Sequence, residues 1–121
     1  MRELKYRVYI PEFSKYVYFG LNDFDYSDRY LTNDEYPIQQ YTGCHDSSNK
    51  EIYEGDIVQY NNGDVIRIGY IEFMSGIFFL NYNDETDEEL GYLLVSNLKV
   101  IGNKFEHKEL IWMNHMYLPS F

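Results

Sequence analysis

The sequence predicts a mainly β protein: a small SH3-like β-barrel core with an N-terminal β-hairpin extension and a short C-terminal helix. Three observations carry this. Apolar and polar residues alternate with period two from Leu4 to Ile10, the pattern of a half-buried strand. β-Branched and aromatic residues dominate 65–73 and 77–82, which suits a pleated surface better than a helix. Turn formers punctuate the second half, so that short strands follow one another at spacings of roughly 8–12 residues, as in small barrels and sandwiches.

Element by element, Leu4, Tyr6, Val8 and Ile10 alternate with Lys5, Arg7 and Tyr9 in the first strand. Pro11 ends it, because proline removes a ladder donor. The run Lys15-Tyr16-Val17-Tyr18-Phe19 returns as the second half of a hairpin. Residues 20–37 are polar, carry Asp23, Asp25, Asp28, Asp34 and Glu35, and read as loop with a short strand near Tyr30-Leu31. Ile38 to Cys44 is extended again, and Asp46-Ser47-Ser48-Asn49 is a turn of side chains that bond their own backbone. The next element, 51–60, is interrupted at Gly55-Asp56. A Gly-Asp pair before alternating apolar residues also opens many SH3-like barrels, an analogy that concerns fold alone.

Asn62-Gly63 marks a tight turn between strands. A second turn at Met74-Ser75-Gly76 separates 65–73 from 77–82. Residues 83–89 form a charged loop, followed by extended segments at 93–95 and 98–103. Helix formers with Leu110, Ile111, Met113 and Met116 predict a short helix within 106–116. With 121 residues and no linker or repeat, the chain is one domain. It reads as an N-terminal β region at 1–44 and a barrel-like core at 45–121.

The densest segment runs from Gln40 to Val58: Gln-Tyr-Thr-Gly-Cys-His-Asp-Ser-Ser-Asn-Lys-Glu-Ile-Tyr-Glu-Gly-Asp-Ile-Val. It resembles the signature of the YopX family of phage and prophage proteins, QYTGLKDKNGKEIYEGDIV. Met1 to Arg7 resembles the family's opening MREIKFR, and Lys99 to Ile111 its closing EVIGNIYENPELL. The resemblance implies a phage or prophage setting and brings no reaction with it. Its signature residues fall here on Tyr41, Thr42, Gly43, Lys50, Glu51, Ile52, Tyr53, Glu54, Gly55, Asp56, Ile57 and Val58. Cys44 and His45 replace leucine and lysine, Tyr9 stands where tryptophan is common, and Ser48-Asn49 replaces Asn-Gly. The loop keeps its course if Asn49 adopts the left-handed conformation, at more steric cost than glycine.

Composition narrows the setting. Aromatic residues make up 19% of the chain, led by 14 tyrosines, which argues against disorder despite a mean hydropathy of -0.50. No run approaches the roughly 18–20 apolar residues of a membrane span. The charged start is followed by no apolar block, so the expected location is the cytoplasm of the bacterial host. The single cysteine, Cys44, fits a reducing compartment. A net charge of -10 disfavours direct binding to nucleic acid, since phosphate binding gains from releasing counterions around cationic side chains. The acidity reads as a solvated surface that keeps a tyrosine-rich protein soluble. The sharper alternative is an acidic mimic of DNA that blocks a host DNA-binding protein.

Candidate chemistry is sparse. Cys44 beside His45 invites a thiol nucleophile, but neighbours on a strand point to opposite faces. Leucine at this place in the family pattern points instead to a small buried hydrophobe. His45, His107 and His115 are scattered, and 84–89 lacks the ordered alternation of a calcium loop, so no metal or other cofactor is expected. Glu54 and Asp56, two apart, are expected on one strand face and would serve acid–base chemistry with His45 in a hydrolase-type alternative. The structural reading outweighs it: Asp56 satisfying turn amides, Lys50 pairing with Glu51, Gly55 supplying a bulge. Some of Tyr16, Tyr18, Tyr26, Tyr30, Tyr36, Tyr41 and Tyr53 should reach the surface, since a chain this size cannot bury all its aromatics. The reading is therefore a non-enzymatic accessory protein that binds a protein partner or itself, as a homo-oligomer.

Overall fold

The computed structural model describes residues 3–20, 37–113 and 115–117. The described strands form two antiparallel sheets. The first holds β1 (Lys5–Ile10), β2 (Lys15–Gly20), β3 (Ile38–His45) and β4 (Glu51–Tyr53), in the order β2-β1-β3-β4. The second holds β5 (Asp56–Asn61), β6 (Val65–Met74), β7 (Ile77–Asn81), β8 (Asp87–Glu89) and β9 (Leu98–Asn103), in the order β8-β7-β6-β5-β9. Beside that path, β10 (His115–Tyr117) pairs with β6.

Local chemistry sets the turns. Pro11 ends β1 and opens a single 3-10 turn, Pro11–Phe13, closed by Ser14 in the left-handed region. β2 then returns in register with Val8 opposite Val17. β3 lies on the other side of β1, and its pairing with β4 shifts between Tyr41 and His45. Gly43, at φ +87, supplies that bulge. Asn49 adopts φ +65, as its place in the altered turn requires. Between β5 and β6 the Asn62 side chain accepts the N–H groups of Asp64 and Val65.

Two apolar clusters follow from these pairings. The larger gathers Ile52, Val58, Ile71, Phe78, Leu80, Tyr82, Leu90, Leu98 and Val100, with Cys44 and Leu93 packed against it. The smaller is Val8, Ile10 and Phe19 on one face of the first sheet. Each side chain so buried contributes about 1.5–3 kcal/mol relative to exposure.

The mainly β class holds, and so do the hairpin, the turn at 46–49 and the two long strands. The second sheet curls into a half-barrel. Among the described residues its path ends at β8 and β9 rather than closing as an SH3-like barrel. The expected C-terminal α-helix is a 3-10 segment, Lys108–Met113, followed by β10. Helix propensity there is overridden by pairing along the free edge of β6. The charged stretch 83–89 is part loop and part strand, because β8 pairs with β7. Of the extended segment expected at 93–95, Leu93 and Leu94 are extended but pair into no strand. They lie between two 3-10 turns, Leu90–Tyr92 and Val95–Asn97, the second of which takes in Val95. The first sheet runs past residue 44 to include β4. The loop and short strand expected at 20–37 lie mainly outside the described residues.

The second face of β1 departs most from the period-two reading. Arg7 and Tyr9 are as buried as Val8 and Ile10. They point at the second sheet rather than at water.

Candidate functional site

The two sheets meet where β1, β2 and β3 present Arg7, Tyr9, Tyr16, Tyr18 and Gln39 to the turn between β4 and β5. Cross-strand pairing puts these on one face: Arg7 is opposite Tyr18 and Gln39, and Tyr9 opposite Tyr16. Arg7 Nη2 reaches Asp56 Oδ1 at 2.8 Å and the Glu54 carbonyl at 3.2 Å. Its Nε donates to Gln39 Oε1 at 2.8 Å. The guanidinium lies 3.9 Å from the centre of the Tyr16 ring and 4.7 Å from that of Tyr53. Cation–π contacts of this kind strengthen when desolvated. Tyr9 stacks on Phe105 at 4.9 Å, extending the aromatic joint beyond β9.

Asp56 completes the joint. Its Oδ2 accepts the Tyr53 N–H at 2.8 Å, so both carboxylate oxygens are engaged. Burial raises its pKa, and the Arg7 charge and the Tyr53 N–H oppose the rise without cancelling it. Burial likewise raises the Tyr16 and Tyr53 hydroxyls, with Glu51 adding to the effect at Tyr53. Gly55 holds φ +85. Its N–H donates to the Ile71 carbonyl and its own carbonyl accepts the Lys104 N–H. A Cβ there would run into the Gln39 side chain.

Asp46 ties the other end of the signature down. Its Oδ1 accepts the Ser48 and Lys50 N–H groups, and its Oδ2 accepts the Val100 N–H of β9, each at 2.9 Å. Burial pushes this carboxyl up, but the three donors outweigh it and hold the pKa below the usual range.

The remaining signature residues fall in place around these anchors. Of the tyrosines among which some were expected at the surface, Tyr18 is 57% exposed, whereas Tyr41 and Tyr53 are buried. Tyr26, Tyr30 and Tyr36 lie outside the described residues. Thr42 Oγ1 donates to the Ile52 carbonyl at 2.7 Å and accepts the Cys44 N–H. Ile52, Ile57 and Val58 are fully buried. Lys50 is exposed, and Glu51 pairs with Lys5 rather than with Lys50.

The hydrolase-type trio does not come together. His45 Nδ1 faces the Tyr41 hydroxyl at 3.3 Å, Glu54 Oε1 accepts the Gln40 N–H at 3.2 Å, and Asp56 is held by Arg7. Glu54 lies in the turn, so it and Asp56 do not share a strand face as expected. Among the described residues no three His, Cys, Asp or Glu side chains are grouped to hold a metal ion. Cys44 packs against the larger apolar cluster.

Sequence reasoning passed over Arg7 and Gln39. Their signal was indirect: Tyr9, Tyr16 and Tyr18 share their face, and that many rings on a supposed solvent face call for a covering layer.

A second feature lies beside the β6–β7 hairpin, where the signature residue Thr42 also contributes. An open groove of about 240 Å³ runs between Ile77 and Phe78 on one wall and Leu90 and Gly91 on the other, with Cys44 also lining it. Ile77 is exposed, as are Phe73 and Met74 of the same hairpin and Tyr92, Leu94 and Val95 after Gly91. Among the described residues no helix is long and apolar enough to cross a membrane.

No curated protein matches the sequence. Among solved structures, protein EF1440 from Enterococcus faecalis is similar at a TM-score of 0.58 and 20% identity, over 89% of this chain and 97% of that one. At that identity the likeness concerns the fold alone. The family model described as YopX protein matches residues 20–112, taking in the whole segment from Gln40 to Val58 and the strands it anchors. The chain belongs to the YopX family.

Proposed function

We propose that this YopX protein is a phage or prophage accessory protein of the bacterial cytoplasm that acts by binding protein rather than by catalysis. The observation that carries the reading is the apolar surface at the tip of the β6–β7 hairpin. Phe73, Met74 and Ile77 are exposed at the hairpin turn, Ile77 also lines the groove with Leu90 and Gly91, and Tyr92, Leu94 and Val95 are exposed along the segment after Gly91. Exposed apolar side chains that gather into one patch mark interaction sites more often than ordinary surface does. Asp46, Gly55 and Asp56 of this segment are meanwhile committed to joining the sheets. On this reading the signature is scaffold, and the hairpin tip contacts a host protein or a second copy of the chain.

The test is a pair of substitutions, Ile77→Asp and Leu94→Asp, at side chains 40% and 64% exposed. Light scattering should show wild type above 14.6 kDa, or capture from a lysogenic host should yield one stoichiometric protein. Either property should disappear in the double variant while its melting temperature stays put. A monomeric wild type whose captured proteins are those of the variant overturns the reading.

A further inference from the structure

A second open cleft, of about 360 Å³, lies away from the hairpin tip. Its walls are Tyr70 of β6, Asn83 after β7, Lys104 after β9, and Lys108, Ile111 and Trp112 of the 3-10 segment. Three properties set it apart. It brings two lysines together on a chain that carries 10 basic against 20 acidic side chains. Among the described residues neither ammonium has a salt-bridge partner. And the only tryptophan of the chain stands beside them, 79% exposed.

We propose that this cleft binds a mononucleotide-class ligand, a planar heterocycle bearing a phosphate. The Trp112 and Tyr70 rings supply π-faces, on which any base stacks because every base has one. Lys104 and Lys108 supply the mobile cationic donors that suit a phosphate. The Asn83 amide carries both a donor and an acceptor and can read a ring edge. The volume falls in the range of small-molecule sites, roughly 300–1,000 Å³. Glu72, which stands near Tyr70 and raises its hydroxyl pKa after burial does, is occupied by the Asn81 amide at 2.8 Å.

The same phosphorylated heterocycle could arrive free or as part of a strand, and the charge pattern selects the free form. Asn83 leads directly into the carboxylates of Asp84, Glu85, Asp87, Glu88 and Glu89. A chain of phosphates leaving the cleft on that side would meet them, and a net charge of -10 opposes a polyanion throughout.

The single tryptophan makes the test direct. Fluorescence of the full chain, excited at the red edge of the indole band, is titrated with AMP, UMP, adenosine, inorganic phosphate and a short single-stranded oligonucleotide. AMP or UMP should quench saturably with a midpoint of about 1 mM or tighter. Adenosine and phosphate alone should each need at least about ten-fold more, since each keeps only half of the contacts. Lys104→Glu with Lys108→Glu should remove saturation at an unchanged melting temperature, Lys104→Arg with Lys108→Arg should keep it, and Tyr92→Ser should leave it untouched. Adenosine or phosphate matching the nucleotides, an unaffected charge-reversed variant, or no saturation overturns the proposal. An oligonucleotide that binds tighter per nucleotide overturns the assignment to free ligand.

Discussion

Arg7 of β1 and Asp56 of β5, 49 positions apart, form a buried ion pair at 2.8 Å that fastens one sheet to the other. Each partner is at least 95% buried by side chain. Removing either one leaves an uncompensated charge inside the protein. Arg7→Leu or Asp56→Ala should therefore cost about 3–5 kcal/mol, measured by denaturant unfolding. The double variant Arg7→Met with Asp56→Leu should recover much of that, because a well-packed apolar pair avoids the desolvation penalty. Additive losses in the double variant would mean that the two side chains do not act as a pair.

Gly55 is fixed by two independent constraints, its φ of +85 and the Gln39 side chain in the space a Cβ would need. Gly55→Val should unfold or aggregate the protein before any binding property changes. Backbone strain alone is about 1–3 kcal/mol, a large share of the roughly 5–15 kcal/mol that holds a domain folded. Asp87→Asn, at an exposed position of the acidic stretch, should leave the melting temperature unchanged. A Gly55→Val protein that melts like wild type but no longer captures its partner would make the signature a binding site.

Asp46 gives the protein a pH dependence of known sign. Its folded pKa lies below the usual carboxylate value of about 4. The stability it confers is therefore fully present above the unfolded pKa and is lost as pH falls through the folded one. Asp46→Asn keeps one acceptor but sets an amide N–H₂ against a backbone donor, and should cost about 1–3 kcal/mol near neutrality. The gap between wild type and variant should narrow steadily on acidification below about pH 4, followed by chemical denaturation at a series of pH values. A gap that stays constant down to the acid transition would show that the carboxylate charge contributes nothing.

Cys44 packs against the apolar core beside a bulge, with its backbone N–H held by Thr42. Cys44→Ser should fold and keep its partner, losing about 1 kcal/mol because a hydroxyl replaces an apolar contact. Metal analysis of the purified protein should return no stoichiometric zinc. About one zinc per chain would overturn this, since tetrahedral zinc needs four ligands.

Elements that depend on neighbours in sequence were legible without the structure. Alternation in 4–10, Pro11, the Asp46–Asn49 turn, Asn62-Gly63 and the β-branched run of β6 act locally, through backbone sterics and side-chain-to-backbone bonds. The structural roles expected of Gly55 and Asp56 were local, a bulge and an acceptor for turn amides, because those demands travel with the residues themselves. That the segment joins two sheets was not legible. Tertiary structure decided what faces what. Arg7 and Gln39 looked like solvent-facing residues of two strands, and only the docking of the second sheet made them the core of an interface. The 106–116 segment has helix-forming residues, yet the edge of β6 draws its end into a strand, since pairing offers hydrogen bonds that a short isolated helix does not secure. The cleft of Tyr70, Lys104, Lys108 and Trp112 is likewise invisible in the chain. Its walls come from three separate segments, at 70, 83 and 104–112, and only the packing of the 3-10 turn beside β6 gathers them around one cleft.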